Sequence, residues 1–179
     1  MKLIAFAGSS SKSSINKKLV AYVSTLFSGM ETEVLDINDF EAPLYSTDKE
    51  EEIGIPEVIK SFAQKISDAD LVLLSLAEHN GSYSAAFKNL YDWVSRIPDR
   101  KPFDDTPLFL MATSPGGRGG SSALEIAEAR FPRDGAKLMA TFSLPMFYEV
   151  FSLEVGIMHV EKAAELADKV NQVITELNK

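Results

Sequence analysis

Apolar and polar positions along the chain alternate between two rhythms. Lys2–Ala7 is a short apolar run of the kind a buried strand requires, and Asn16–Leu26 then places Leu19, Val20, Val23 and Leu26 on one helical stripe. Glu33–Ile37 reads as a second strand. Residues 38–55 carry Pro43, Gly54 and the acidic run Asp48–Glu52, which predicts a surface loop. Pro56 suits a first helical turn, and Val58, Ile59, Phe62, Ala63 and Ile66 form the face of the helix behind it. Leu71–Leu76 is almost continuously apolar, as a central parallel strand buried on both faces must be. The rhythm repeats to the end: a helix over Ser84–Ser95, a strand over Pro107–Ala112, a helix over Ser121–Phe131, a strand over Leu138–Phe142 and a long helix over Val160–Leu177.

Five strands alternating with helices predict a single α/β domain over residues 1–179, a five-stranded parallel sheet doubly wound with helices on both faces. Ligands of such sheets sit beyond the carboxyl ends of the strands, where the winding changes direction. The loops after the first, third and fourth strands are therefore the places to look for chemistry.

Composition narrows the chemistry further. The chain has 179 residues and no cysteine, so disulfides, thiolate metal sites and cysteine nucleophiles are excluded. Its two histidines, His79 and His159, are far apart, and no zinc-type cluster can be written from them. A formal charge of −8 argues against a nucleic-acid surface. No apolar run approaches the roughly 18 residues needed to span a bilayer, and the opening run is too short for a signal-peptide core. A cytoplasmic protein is expected, with no nucleic-acid and no membrane partner.

The first of the three loops is Gly8-Ser-Ser-Ser-Lys-Ser-Ser-Ile-Asn16. It matches neither the phosphate-binding Gly-Lys-Ser/Thr loop nor the G-x-G-x-x-G turn. Its hydroxyls, the Asn16 amide and a helix N-terminus suit a phosphate. Lys12, Lys17 and Lys18 crowd a helical turn where the dipole disfavours cations, which suggests a bound anion. A plainer reading makes Ser13 or Ser14 an N-cap and leaves the lysines solvated. The second loop, Leu76-Ala-Glu-His-Asn-Gly-Ser-Tyr-Ser84, contains the Asn-Gly pair of hairpin turns, but the helical pattern behind it favours a turn into a helix capped by Ser82 or Ser84. The third, Thr113-Ser-Pro-Gly-Gly-Arg-Gly-Gly-Ser121, has four glycines in five positions. It lets the backbone approach a flat ligand and offers successive N–H groups to an anion, or it is a flexible connector before a helix capped by Ser121 or Ser122. Together the loops predict a pocket without a nucleophile–base pair, a carboxylate pair or a metal set. Such a pocket suits a cofactor that carries the reactivity itself.

On these motifs the sequence resembles the NADPH-dependent FMN reductase family, which includes quinone, chromate and azo reductases of flavodoxin-like fold. The family opens with Gly-Ser-x-Arg-x-x-Ser-x-Asn; Gly8, Ser9, Ser14 and Asn16 match, and Ser11 stands at the arginine. A second pattern, Pro-Glu-Tyr-Asn-Gly-Ser followed by Leu-Lys-Asn-x-x-Asp-Trp-x-Ser-Arg, is matched by Glu78, Asn80, Gly81, Ser82, Lys88, Asn89, Asp92, Trp93, Ser95 and Arg96. Ala77, His79 and Phe87 replace its proline, tyrosine and leucine. Ser114, Gly119 and Gly120 fit the family's glycine-rich third loop.

The resemblance implies a flavodoxin-like three-layer sandwich that binds FMN through Ser9, Ser11, Ser14, Ile15, Asn16, Ala77, Glu78, His79, Asn80, Gly81, Ser114, Gly116 and Gly117. It implies NADPH or NADH as co-substrate and a small electron acceptor: a quinone, metal oxyanion, azo or nitro compound, or free flavin. No protein side chain is expected to be catalytic, and no metal is expected. Lys12 is expected to stand in for the missing arginine, and Arg118 is a candidate partner for a nicotinamide nucleotide's phosphate. The helix around Trp93 either buries that ring, with Arg96 paired to an acid, or packs a dimer. The apolar stretch Leu144–Met158 is core, a subunit interface or a wall over the flavin, and a homodimer or homotetramer is expected. Two other readings share the fold: a flavodoxin-type electron carrier, and a flavin-free binding or regulatory module.

Overall fold

The strand runs sort their side chains by parity. In β1 (Lys2–Gly8), Ile4 and Phe6 enter one apolar layer while Leu3, Ala5 and Ala7 enter another. In β3 (Leu71–Leu76), Val72, Leu74 and Leu76 oppose Leu71 and Leu73 in the same way. Alternation of side chains across a strand sends apolar groups to both faces, so these strands must be covered on both. The computed structural model describes residues 1–179 and shows how that is done.

β1, β2 (Glu31–Leu35), β3, β6 (Pro107–Thr113) and β7 (Lys137–Leu144) form one parallel sheet in the order β2-β1-β3-β6-β7. Helices α1 (Ile15–Ser24) and α7 (Val160–Leu177) cover the face that holds Leu3, Leu73 and Phe109. Helices α3 (Glu57–Ser67), α4 (Ala85–Val94) and α5 (Ser121–Arg130) cover the other. This is the doubly wound α/β sandwich expected from the pattern, in the flavodoxin-like form that the resemblance implies. The chain winds outward from β1 in both directions, so the switch point lies between β1 and β3.

Local details depart from the sequence reading. The segment expected to be a surface loop contains a 3-10 turn, Ile37–Phe40, and a two-turn helix, α2 (Thr47–Ile53). No α2 residue is buried. The helix depends instead on its ends: Ser46 Oγ accepts from the Lys49 N–H, and Gly54 closes it at φ +68°. Arg96 Nε, 2.9 Å from Glu50, ties α2 to the end of α4, and Trp93 is fully buried with its Nε1–H donating to the Pro43 carbonyl at 2.7 Å. Those are the plainer roles foreseen for both residues.

Beyond β7, Met146 takes a left-handed conformation and starts α6 (Phe147–Val150). A two-stranded hairpin follows, β8 (Phe151–Ser152) with β9 (Gly156–Ile157). Phe147, Phe151 and Ile157 from this stretch are core, whereas Tyr148, Leu153 and Met158 are exposed.

Candidate active site

Three turns meet at the carboxyl edge of the sheet. In the first, Ser14 is the N-cap of α1, and its Oγ accepts from the Lys17 N–H at 3.3 Å. Ser9 Oγ accepts from the Ser11 N–H at 3.3 Å, so the turn is held by its own hydroxyls. The Ser11 and Ser13 hydroxyls face outward, 3.4 Å apart. The N–H groups of Ile15 and Asn16 find no acceptor within the chain, as the first turn of a helix dictates. The hydroxyl protons of Ser9 and Ser14 are likewise uncommitted, since each oxygen only accepts.

Asn16 does something the sequence does not display. Its side chain is buried and bridges two strand ends: Oδ1 accepts from Ser75 Oγ at 2.7 Å and from the Thr113 N–H at 3.1 Å, and Nδ2 donates to the Thr113 carbonyl at 3.2 Å. One amide proton remains free. The lysines also divide. Lys17 is bound to Asp36 at 2.6 Å, which removes it from the anion-binding trio. Burial pushes the Asp36 carboxyl up, but the Lys17 ammonium and the Asn38 N–H outweigh it and hold the pKa below the ordinary value. Lys12 is exposed between Ser11 and Ser13 and borders a neighbouring groove rather than the cleft itself.

The second turn is a hairpin after all. β4 (Glu78–His79) pairs antiparallel with β5 (Ser82–Tyr83), and Asn80 and Gly81 between them have φ of +54° and +79°. That is the left-handed pair an Asn-Gly hairpin turn needs. The helical pattern behind it belongs to α4, which begins immediately afterwards with Ser84 as its N-cap. Ser84 Oγ also donates to the Gly8 carbonyl at 2.8 Å and ties this turn to the first.

Glu78 ties it to the third. Neither Ser121 nor Ser122 caps α5; its N-cap is Gly120, which has no side chain to offer. The cap comes from 45 residues away, where Glu78 accepts from the Ala123 N–H at 3.1 Å and pairs with Arg118 at 3.4 Å. A carboxylate at a helix N-terminus is favoured by both the orphan donors and the dipole.

The glycine loop uses its glycines in two ways. At Gly119 (φ +59°) a Cβ would collide with Ser143 Oγ and sit 2.9 Å from the Pro145 nitrogen, so the loop lies hard against the end of β7. Gly116 and Gly117 have only open space where a Cβ would go. The Gly116 carbonyl accepts from the N–H groups of Met146 and Gly119, yet the N–H groups of Gly116, Gly117 and Arg118 themselves have no acceptor in the chain.

Between the turns lies an open cleft of about 260 Å³ lined by Ser9, Ser11, Ser13, Ser14, Ile15, Asn16, Ala77, Glu78, His79, Thr113, Ser114, Pro115 and Tyr148. Nine residues singled out from the sequence thus come together there: Ser9, Ser11, Ser14, Ile15, Asn16, Ala77, Glu78, His79 and Ser114. Asn80, Gly81, Gly116 and Gly117 stand outside its lining. The sequence offered no specific signal for Thr113 or Pro115; Tyr148 arrives from α6, 69% exposed, out of the apolar stretch for which a wall over the flavin is one of three readings. The His79 side chain is exposed and makes no hydrogen bond, and no three metal-ligating side chains cluster anywhere in the chain. The cleft thus offers main-chain donors and hydroxyls, and its Glu78 and His79 side chains are not hydrogen-bonded to each other.

Residues 1–136 match the family model described as NADPH-dependent FMN reductase. An NADPH:quinone oxidoreductase of Arabidopsis thaliana is 33% identical over 132 residues, covering 72% of this chain and 65% of that protein. A quinone reductase of Escherichia coli K12 is 32% identical over 123 residues, 68% and 64% of the respective lengths. The matched stretch thus spans slightly less than two thirds of these relatives. Among solved structures, the flavoenzyme NAD(P)H:(acceptor) oxidoreductase FerB of Paracoccus denitrificans superposes with a TM-score of 0.80 at 25% identity, over 99% of this chain and 98% of that one. An FMN-dependent NADH-azoreductase of Bacillus anthracis in complex with FMN shares the fold at a TM-score of 0.64 and 14% identity, over the full length of both chains. With three quarters of its length matched, the chain belongs to the NADPH-dependent FMN reductase family.

Proposed function

We propose that this chain is an FMN-dependent NAD(P)H oxidoreductase that reduces a small acceptor, a quinone being the class named for the relatives just described. One observation carries the reading: uncommitted donors fall into two sets, one lining the cleft and one in the glycine loop at its border. The N–H groups of Ile15 and Asn16 and the hydroxyls of Ser9 and Ser14 gather at the start of α1, beside the paired hydroxyls of Ser11 and Ser13. The N–H groups of Gly116, Gly117 and Arg118 lie in the glycine loop, beside empty space at two glycines. The first set suits a phosphate monoester, and the second suits the edge of a flat ring that becomes electron-rich. These residues fit FMN.

In this reading Ser9, Ser11, Ser14, Ile15 and Asn16 hold the phosphate. Ala77, His79 and the Ser114–Gly117 turn flank the ring, and Asn80 and Gly81 shape the hairpin that presents His79. Glu78 keeps its helix-capping bond and so sets the spacing between the two flanking turns. Bound FMN supplies two-electron transfer: NAD(P)H is oxidised to NAD(P)+, and a quinone with two protons becomes the quinol. The protein's part is to orient both partners in turn over one open face and to stabilise negative charge through preorganised N–H dipoles. The openness of the cleft suits an acceptor that enters after the oxidised nucleotide has left.

The test is anaerobic mixing of FMN-loaded protein with NADPH and with NADH, followed by a quinone. Rapid loss of the flavin absorbance and its return with quinone are expected. A protein that dithionite reduces but neither nucleotide does would be an electron carrier, and one that binds no FMN at micromolar concentration would be neither.

A further inference from the structure

On the other flank of α1 lies a second depression, about 520 Å³, which shares Ser14 with the cleft. One wall is α1, where Ser14, Lys18 and Tyr22 follow at four-residue spacing, about 6 Å per step. The opposite wall is the tip of the β8–β9 hairpin, Leu153 to Gly156, which lies beyond the stretch matched by the family model.

The two ends of this groove differ in chemistry. Near Ser14 stand Lys12 and Lys18, which take part in none of the chain's ion pairs, unlike Lys17. Two free ammonium groups beside the start of a helix, in a chain of net charge −8, are placed against the dipole. Glu154 is the sole acid of the lining. Toward the far end the Tyr22 ring sits edge-on to Phe151 at 5.5 Å, with Gly156 pressed against it so closely that any Cβ there would collide. The Tyr22 hydroxyl makes no hydrogen bond within the chain, and Leu153 and Val155 stand 71% and 70% exposed beside it. An anion-seeking end runs into an aromatic and aliphatic end, alongside a cleft that receives a nicotinamide.

We propose that this groove binds the adenosine-phosphate half of the nicotinamide dinucleotide, its phosphates at Lys12 and Lys18 and its adenine against Tyr22 and the Leu153–Val155 tip. The assignment rests on the oxidoreductase reading for its ligand but not for its test. Adenosine 2′,5′-bisphosphate and ADP are titrated calorimetrically into the protein with and without FMN. Binding is expected, and Lys18→Ala and Val155→Glu each weaken it about fivefold or more, roughly the loss of one solvent-exposed charge pair or its equivalent. FMN affinity is expected to hold. A preference for the bisphosphate puts the 2′-phosphate at the lysines; equal binding puts the pyrophosphate there. In turnover, the two variants lower kcat/KM for NADPH by a similar factor and spare N-benzyl-dihydronicotinamide, a donor that lacks the adenosine half.

Absence of nucleotide binding, or variants that leave it unchanged, overturns the assignment. So does a Val155→Glu variant that only dissociates an oligomer in light scattering, because the tip then covers a second copy of the chain. If native protein oxidises neither donor, the oxidoreductase reading fails by itself, and the titrations still decide the groove.

Discussion

Replacing Asn16 by alanine removes three hydrogen bonds that one buried side chain makes between β3, β6 and the start of α1. The partners left behind are the Ser75 hydroxyl, the Thr113 N–H and the Thr113 carbonyl, all in residues with at most 1% of their surface exposed. A buried polar group stripped of its partner costs about 1–3 kcal/mol. The Ser75 hydroxyl can rotate, and the space vacated is polar and large enough for a water, so the three do not add in full. The net loss is expected to be about 3–4 kcal/mol, a third or more of the stability of a typical domain.

The assay is urea unfolding of FMN-free protein, which removes ligand binding from the comparison. With a slope of about 2 kcal/mol per molar, the midpoint falls by about 1.5–2 M while the slope stays constant. Ser75→Ala in the same background completes a double-mutant cycle with a coupling of about 1 kcal/mol or more. Asn16→Asp sharpens the case, because its ionised carboxylate turns an oxygen on the Thr113 carbonyl where a donor belongs. The folded state raises that carboxyl's pKa, so the variant's stability is retained below the unfolded pKa and lost as pH rises through the folded one. A loss under about 1 kcal/mol for Asn16→Ala, or strict additivity with Ser75→Ala, would refute the bridge.

Three further outcomes follow from the same geometry. Glu78→Ala uncaps α5 and frees Arg118, so the melting temperature should fall by the equivalent of about 1–2 kcal/mol, with Glu78→Gln losing less because it can still accept from the Ala123 N–H. Gly119→Ala should destabilise by about 2 kcal/mol or more in urea, whereas Gly116→Ala, with open space at its Cβ, should stay within about 0.5 kcal/mol and instead weaken FMN binding in a fluorescence-quenching titration. Burial, and then the hydrogen bond to Asp134, raise the Tyr91 pKa above its ordinary 10.0. Its neutral form is therefore the folded one: the stability contribution is complete below the unfolded pKa and lost as pH climbs past it. Stability profiles from pH 8 upward should flatten in Tyr91→Phe, and an unchanged profile would remove Tyr91 as the source of the alkaline loss.

The α/β order, the five core strands and the three turns at the carboxyl edge were legible in the chain because burial writes itself locally. A strand covered on both faces must be apolar at nearly every position, as Leu71–Leu76 is, and a core-facing helix must repeat its apolar residues every three or four. Where stability comes from something other than burial, that writing is absent. Helix α2 buries nothing and depends on Ser46, Gly54 and a distant arginine, so its acidic sequence resembles a loop. The hairpin at Asn80-Gly81 was signalled by its turn residues but masked by a helix separated from it only by the cap residue Ser84.

The site divides in the same way. Its hydroxyls and glycines could be picked out one turn at a time, because a turn's chemistry is contained in a few consecutive residues. Only the folded chain decides that Asn16 grips Thr113 across 97 residues, that Glu78 caps a helix across 45, and that Lys17 is spent on Asp36 while Lys12 faces another groove. Such partners are chosen by strand order and register, which bring together carbonyls, amides and charges that no local spacing connects.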